Sequence, residues 1–446
     1  MDSLVGISRP DRLSASPALI DRANTEPSSG RRGSLLLAGV GALTLFFVPQ
    51  ILQLFPALGG LQLAKLTALL VVIYLISSRQ LMEQRVRLRA APQIGLLIGI
   101  LALAVITIPT SIWPGQSIGY IVEAFAKNVV FVYLLLQAVK TDRDARTISA
   151  VLVGGSCCLV LAVLAHLGPV VTYKSEPGRL AVGASYDPND MALLFVTTIP
   201  FAFFLIHSSG RRGRILLALT IALLLAGLAV TESRGGFLGL CVIALFIFLR
   251  GSRQARKLAL LIAGIGFLLF TFAAPRTFWD RISTIYNYER DYNLREDGGR
   301  IAVWKKGLQM IAANPITGVG IGCFPLEHAA LSGSRLPMAA HNSLIQVSAE
   351  LGVPGLILFL GIIMFSIRRA RRIRLEAGRG LTEPNLLWFA SAVEVAFVGF
   401  TISGFFLSHA YSPIFCFLTG MAGALVARHR QFSATAPSAR EETRYV

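Results

Sequence analysis

The stretch His341-Asn342-Ser343-Leu344-Ile345-Gln346-Val347-Ser348-Ala349-Glu350 opens an apolar segment that reaches about residue 367, directly after a polar stretch of about 65 residues. An apolar run of that length reads as a membrane helix. Its polar head puts an ionisable imidazole where the helix meets water. Chemistry on a membrane-anchored substrate with a water-soluble head has to occur at that level.

The rest of the chain repeats the pattern. With 54% hydrophobic and 15% charged residues in 446, a soluble globular protein is excluded. Backbone polar groups at bilayer depth must be satisfied within each segment, so the fold class is all-α, a polytopic integral membrane protein. Twelve spans are expected, at about 35–55, 57–77, 93–109, 118–138, 147–168, 190–207, 214–231, 235–250, 257–275, 341–367, 386–407 and 409–427. Residues 1–34 read as a disordered cytoplasmic tail without a signal-peptide core, and residues 428–446 as a second cytoplasmic tail.

Lys and Arg positions set the orientation, because cytoplasmic loops retain them. With the N-terminus inside, 29 of the 42 basic residues fall in cytoplasmic segments and 11 outside, eight of these in the 276–340 loop. Every short inside loop is basic, so the net charge of +18 reflects membrane orientation and anionic headgroups rather than nucleic acid. The 276–340 loop is thereby periplasmic, together with 169–189 and the turn 232–234. Within it, Val303, Trp304, Leu308 and Ile311 recur at helical spacing, predicting an interfacial helix over Arg300 to Ala313 that Asn314-Pro315 stops. Cys157, Cys158, Cys241 and Cys416 lie in spans and Cys323 alone is external, so no disulfide framework is expected.

These residues carry a resemblance. The stretch from His341 to Gly355 is similar to the signature of the O-antigen ligase and Wzy-type polymerase family. Gly299-Arg300 to Trp304, Asn314-Pro315 to Gly320, Ser233-Arg234-Gly235-Gly236, and Gly178-Arg179 followed by Pro188-Asn189 also resemble family patterns, in the family's order. The resemblance implies transfer of a glycan from an undecaprenyl-pyrophosphate carrier to an acceptor glycan or lipid A core, on the periplasmic face of the bacterial inner membrane. It implies no metal, nucleotide sugar or other cofactor.

Such a reaction needs a base for the acceptor proton, cations for the departing pyrophosphate and a groove for the polyprenyl chain. His341 is the candidate base: a helix start and nearby arginines hold an imidazole neutral. The bland alternative is a polar residue marking the water boundary. Asn342 and Ser343 can satisfy helix-end amides and orient the ring. Arg179, Arg234 and Arg300 are the candidate pyrophosphate clamps, since guanidinium forks stay charged and bind phosphate bidentately; snorkelling or a Glu232 salt bridge is the alternative. Asn189 belongs to a stretch that can cap the sixth span, with Asn189 or Asp190 accepting, and can also line the donor groove. Glu350, roughly 13 Å along the helix from His341, is too deep to partner the ring and reads as packing or support.

Other patterns carry less. Asp142-Arg143-Asp144 has metal-motif spacing but lies in a short basic turn, Gly318-Val-Gly320-Ile-Gly322 reads as a turn, and Cys323, His328 and His341 are loosely spaced for zinc. A twelve-helix transporter or flippase is the rival from another class; no half-repeat supports it, and the longest loop lies between spans nine and ten. Between polymerase and ligase, a loop of moderate size with no appended protein-recognition domain favours a polymerase of exopolysaccharide or of the O-antigen of lipopolysaccharide.

Overall fold

The computed structural model describes residues 31–166, 170–172, 180–182, 187–251, 299–333 and 337–435, with scattered residues between 253 and 268. It is a helical membrane protein: six described helices are long and apolar enough to cross a bilayer, and three shorter apolar helices accompany them.

In chain order the helices are α1 (Arg31–Phe47), α2 (Leu63–Ser77), α3 (Arg79–Glu83), α4 (Pro92–Ile106) and α5 (Pro114–Ala138). Then come α6 (Asp142–Leu164), α7 (Pro188–Leu205), α8 (Arg211–Val230), α9 (Arg234–Arg250), α10 (Arg300–Ala313) and α11 (Phe324–Ser332). The chain closes with α12 (Ser343–Gly378), α13 (Leu386–Gly404) and α14 (Pro413–Thr435). Local chemistry sets several starts. Thr141 and Asp144 form a capping box on α6, and Pro92, Pro114 and Pro188 open α4, α5 and α7, where a missing amide costs nothing.

Helices α7 and α13 form the enclosed centre, lined by Phe195, Phe201, Phe203, Phe397 and Phe400, while α8 runs at the periphery. Close approach depends on small residues, as is usual for helix packing in lipid. A Cβ on Gly236 would stand 2.6 Å from the Ala192 Cβ of α7, and one on Gly239 would strike the Ser403 hydroxyl of α13.

The structure departs from expectation in five places. The 169–189 loop holds a small antiparallel hairpin, β1 (Val170–Thr172) and β2 (Leu180–Val182), pairing Val170 with Val182. Its β-branched residues favour extended backbone, so the chain is not wholly helical. Helix α1 begins at Arg31, inside the expected tail. Residues Ile51–Leu61 form 3-10 turns rather than the ends of two spans. Helix α12 continues through Arg368 and Arg374 to Gly378, and α14 runs on to Thr435, so both outrun their apolar segments. Most of the ninth span, and the 276–298 part of the long loop, lie outside the described residues.

The fifth departure shapes the site. The segment 314–323 starts exposed at Pro315 and Ile316 and then threads into the bundle, with Val319, Ile321 and Cys323 fully enclosed. Helix α12 breaks at Gly352 (φ 67°, ψ −170°), and the loop pairs with the break. The Val319 amide donates to the Ala349 carbonyl at 2.8 Å, Gly320 to Glu350 at 3.0 Å, and Val353 to Pro315 at 2.8 Å. On its other side the loop meets the α4–α5 connection and α5, through Ile112 N–H to the Val319 carbonyl at 3.1 Å and Ser117 Oγ to that of Ile321 at 3.1 Å. The glycine spacing, read as a turn, is what permits this. Gly320 has φ +104°, and a Cβ there would collide with Ser111.

Candidate active site

One end of the bundle gathers the starts of α7, α9, α10 and α12, with the 405–412 loop after α13 packed among them. Asn342 caps α12, its side-chain oxygen accepting from Leu344 N–H at 2.9 Å and Ile345 N–H at 3.1 Å. Ser343 does not cap. Its hydroxyl donates to the Leu407 carbonyl at 2.7 Å and accepts from His409 N–H at 3.0 Å, stitching α12 to the loop.

His341 precedes the α12 span with φ +47°, a left-handed backbone that costs a non-glycine residue on the order of 1–3 kcal/mol. The surroundings over-determine it. The His341 amide donates to Ser408 Oγ at 2.9 Å, and Trp304 Nε1 of α10 donates to the Ala340 carbonyl at 3.1 Å. Burial, first, and then the neighbouring Arg300 guanidinium lower the imidazole pKa to about 4, with Asp190 opposing them. His341 is therefore a neutral ring near neutral pH, close to one cation and one carboxylate.

Arg234 and Arg300 are each the first residue of a helix, α9 and α10. The partial positive charge of a helix start disfavours a cation there, by typically 0.3–1 kcal/mol. Two such residues, both half-buried, concentrate positive potential at this end. Ser233 caps α9 by accepting from Gly236 N–H at 3.2 Å, after a strained turn at the buried Glu232 (φ +52°). Gly235 lies against Phe406, and its carbonyl accepts from Ser403 Oγ at 3.3 Å. The start of α9 is thus fixed beside the loop that holds His341. Arg179 lies outside the described residues.

Asn189 stands in the first turn of α7, but the cap there is Asp187. Its carboxylate accepts from Asn189 N–H at 2.6 Å and Asp190 N–H at 2.9 Å, which corrects the expectation that Asn189 or Asp190 would cap. The Asp190 carboxylate is left to meet His409 Nε2 at 2.7 Å. Sequence reading missed His409, because Ser408-His409 sits at the seam between two apolar runs and looks like a span boundary. A histidine between two apolar runs, away from the basic segments, was the available signal.

Glu350 is fully buried and two turns deeper. Its carboxylate accepts from Phe324 N–H at 3.3 Å and lies beside the Tyr411 hydroxyl, so it ties the threaded loop and the 405–412 loop to α12. Gln346 does the same from above, accepting from Ala410 N–H at 3.3 Å. Asp142 pairs with Arg146 at 2.6 Å and Asp144 serves its capping box. Cys323 packs against Ser111 and Ser117, and no metal-binding cluster of His, Cys, Asp and Glu occurs among the described residues.

A membrane bundle with this arrangement defines a class: a multi-pass protein presenting a half-buried neutral imidazole among arginine-headed helices. Residues 219–360, from mid-α8 through the break in α12, match the family described as O-antigen ligase. Arg234, Arg300, His341 and Glu350 fall within the match, while Asp190 and His409 lie outside it. No curated protein matches the chain.

Proposed function

We propose that this protein is a glycosyltransferase of the plasma membrane that polymerises undecaprenyl-pyrophosphate-linked oligosaccharide in exopolysaccharide or O-antigen biosynthesis. The observation that carries the reading is His341 itself, a neutral imidazole held in strained backbone beside Arg300, inside a region of the O-antigen ligase family. The twelve-span topology, with both termini cytoplasmic and the site periplasmic, rests on the distribution of basic residues.

In the proposed reaction the acceptor hydroxyl gives its proton to His341 while its oxygen attacks the anomeric carbon of the donor. The bond from that carbon to the pyrophosphate oxygen breaks, and its electron pair leaves on the phosphate. A single displacement of this kind inverts the anomeric centre. Arg234 and Arg300, with Arg179, bind the leaving diphosphate, aided by the starts of α7, α9, α10 and α12. Asp190, tied to His409, offsets the charge that His341 acquires. Asn342 and Glu350 hold the ring's backbone and the threaded loop, and Asn189 lines the donor side.

Purified protein given lipid-linked oligosaccharide alone tests this. Extension of the glycan, lost in His341→Ala, is the expected result. Transfer that appears only when lipid A core is added would assign the chain as a ligase, the activity for which the matching family is described. No transfer under either condition would remove the enzyme reading and leave a transporter as the competitor.

A further inference from the structure

The opposite end of the bundle holds a cavity of ≈ 510 Å³ beside the ends of α7, α8 and α13. His207, Arg214, Ala218, Lys257, Leu261 and Trp388 line it. Its chemistry is layered. Ala218 lies one helical turn beyond Arg214 on α8, and Leu261 lies four residues beyond Lys257 in helical backbone. On each segment an apolar side chain therefore follows the cation one turn along. Trp388 stacks on His207 with centroids 3.9 Å apart and planes 16° from parallel, giving the cavity a rigid aromatic wall.

Among the described residues no carboxylate lines the cavity, so no described wall residue cancels the two cations. In the adjoining cavity Glu394 is taken by Arg374 at 2.7 Å. The Arg214 guanidinium is aimed by its Nε, which donates to the Ser209 carbonyl at 2.9 Å. A soluble anion would use the cations and leave the apolar turn bare. A molecule with an anionic head and a hydrocarbon tail uses both.

We infer that this cavity binds an anionic phospholipid, its phosphate between Arg214 and Lys257 and an acyl chain along Ala218 and Leu261. Basic pockets between membrane helices take such headgroups, and Trp is favoured at the same depth. The site is remote from His341 and independent of the glycan reaction.

Native mass spectrometry of the full-length protein released from bilayers with equal phosphatidylglycerol and phosphatidylcholine tests it. Wild type is expected to retain phosphatidylglycerol over phosphatidylcholine by about thirtyfold, the combined contribution of two cations at headgroup level. Arg214→Gln/Lys257→Gln is expected to fall to near parity. The control Arg143→Gln/Arg371→Gln, which removes the same charge from exposed positions outside the cavity, is expected to keep the preference. Parity in wild type, or equal loss in both double variants, would overturn the site. Displacement of the lipid by millimolar inorganic phosphate would also overturn it, assigning the cations to a free anion.

Discussion

The two ends of the bundle draw on the same charged residue types and spend them differently. At the basic end one group of buried and half-buried charges is matched. Arg374 meets Glu394 at 2.7 Å, Arg428 meets Glu383 at 2.6 Å, and Glu376 is shared by Arg372 and His429 at 2.7 Å each. Arg430 reaches the Arg89 carbonyl and Lys140 that of Gln84, tying the α3–α4 and α5–α6 connections to the belt of α12, α13 and α14. At the other end, positive charge is placed where helix electrostatics oppose it. Helix α9 has an arginine at each terminus, and only Arg250, at the C-terminus, gains from the dipole. Stability explains the belt, whereas at Arg234 and Arg300 the helix starts oppose the charge, and the proposed diphosphate is what would favour it there.

That contrast can be broken most sharply at His341. His341→Asn keeps a residue tolerant of positive φ and removes the base, so transfer is expected to fall on the order of 10³-fold with thermal stability retained. Loss of stability instead would make the imidazole structural. At the belt the readouts reverse. Arg374→Gln leaves Glu394 buried without its cation and is expected to destabilise by about 3–5 kcal/mol, read from the unfolding midpoint. Little change in that midpoint would mean that the belt does not hold the bundle together.

Smaller changes sharpen the comparison. Arg300→Lys keeps the charge but not the fork, and turnover is expected to drop roughly tenfold. Arg300→Gln also removes the cation that helps hold the His341 pKa down. Wild-type His341 is neutral above a pKa of about 4 and protonates as pH falls through that value. In Arg300→Gln protonation begins at higher pH, so the acid limb of kcat/KM is expected to move towards neutrality. An unmoved limb would dissociate Arg300 from the ring. Asn342→Ala is expected to cost about 1 kcal/mol as a lost cap, again read from the midpoint.

Much of the membrane architecture was legible, because apolar runs and their basic flanks report bilayer physics directly. Residues 300–313 form the helix that Val303, Trp304 and Ile311 foretold, although Leu308 points outward. Placement of the supports was not legible. Ser408, His409 and Asp190 meet α12 only through tertiary packing, and no periodicity encodes that. The break at Gly352 was hidden because an apolar run with glycine and proline still scores as one helix. The glycines at 318, 320 and 322 signalled a turn, but whether a turn lies in water or inside a bundle depends on what packs around it.

The threaded loop has a consequence for how the molecule is made. Ser111 and Ser117 wait some two hundred positions of synthesis for Val319, Ile321 and Cys323, and α12 acquires its bend only against that same loop. Contacts so distant along the chain close late. The membrane scaffold is therefore inserted first, and the proposed site is completed only when the last third of the polypeptide folds back into it.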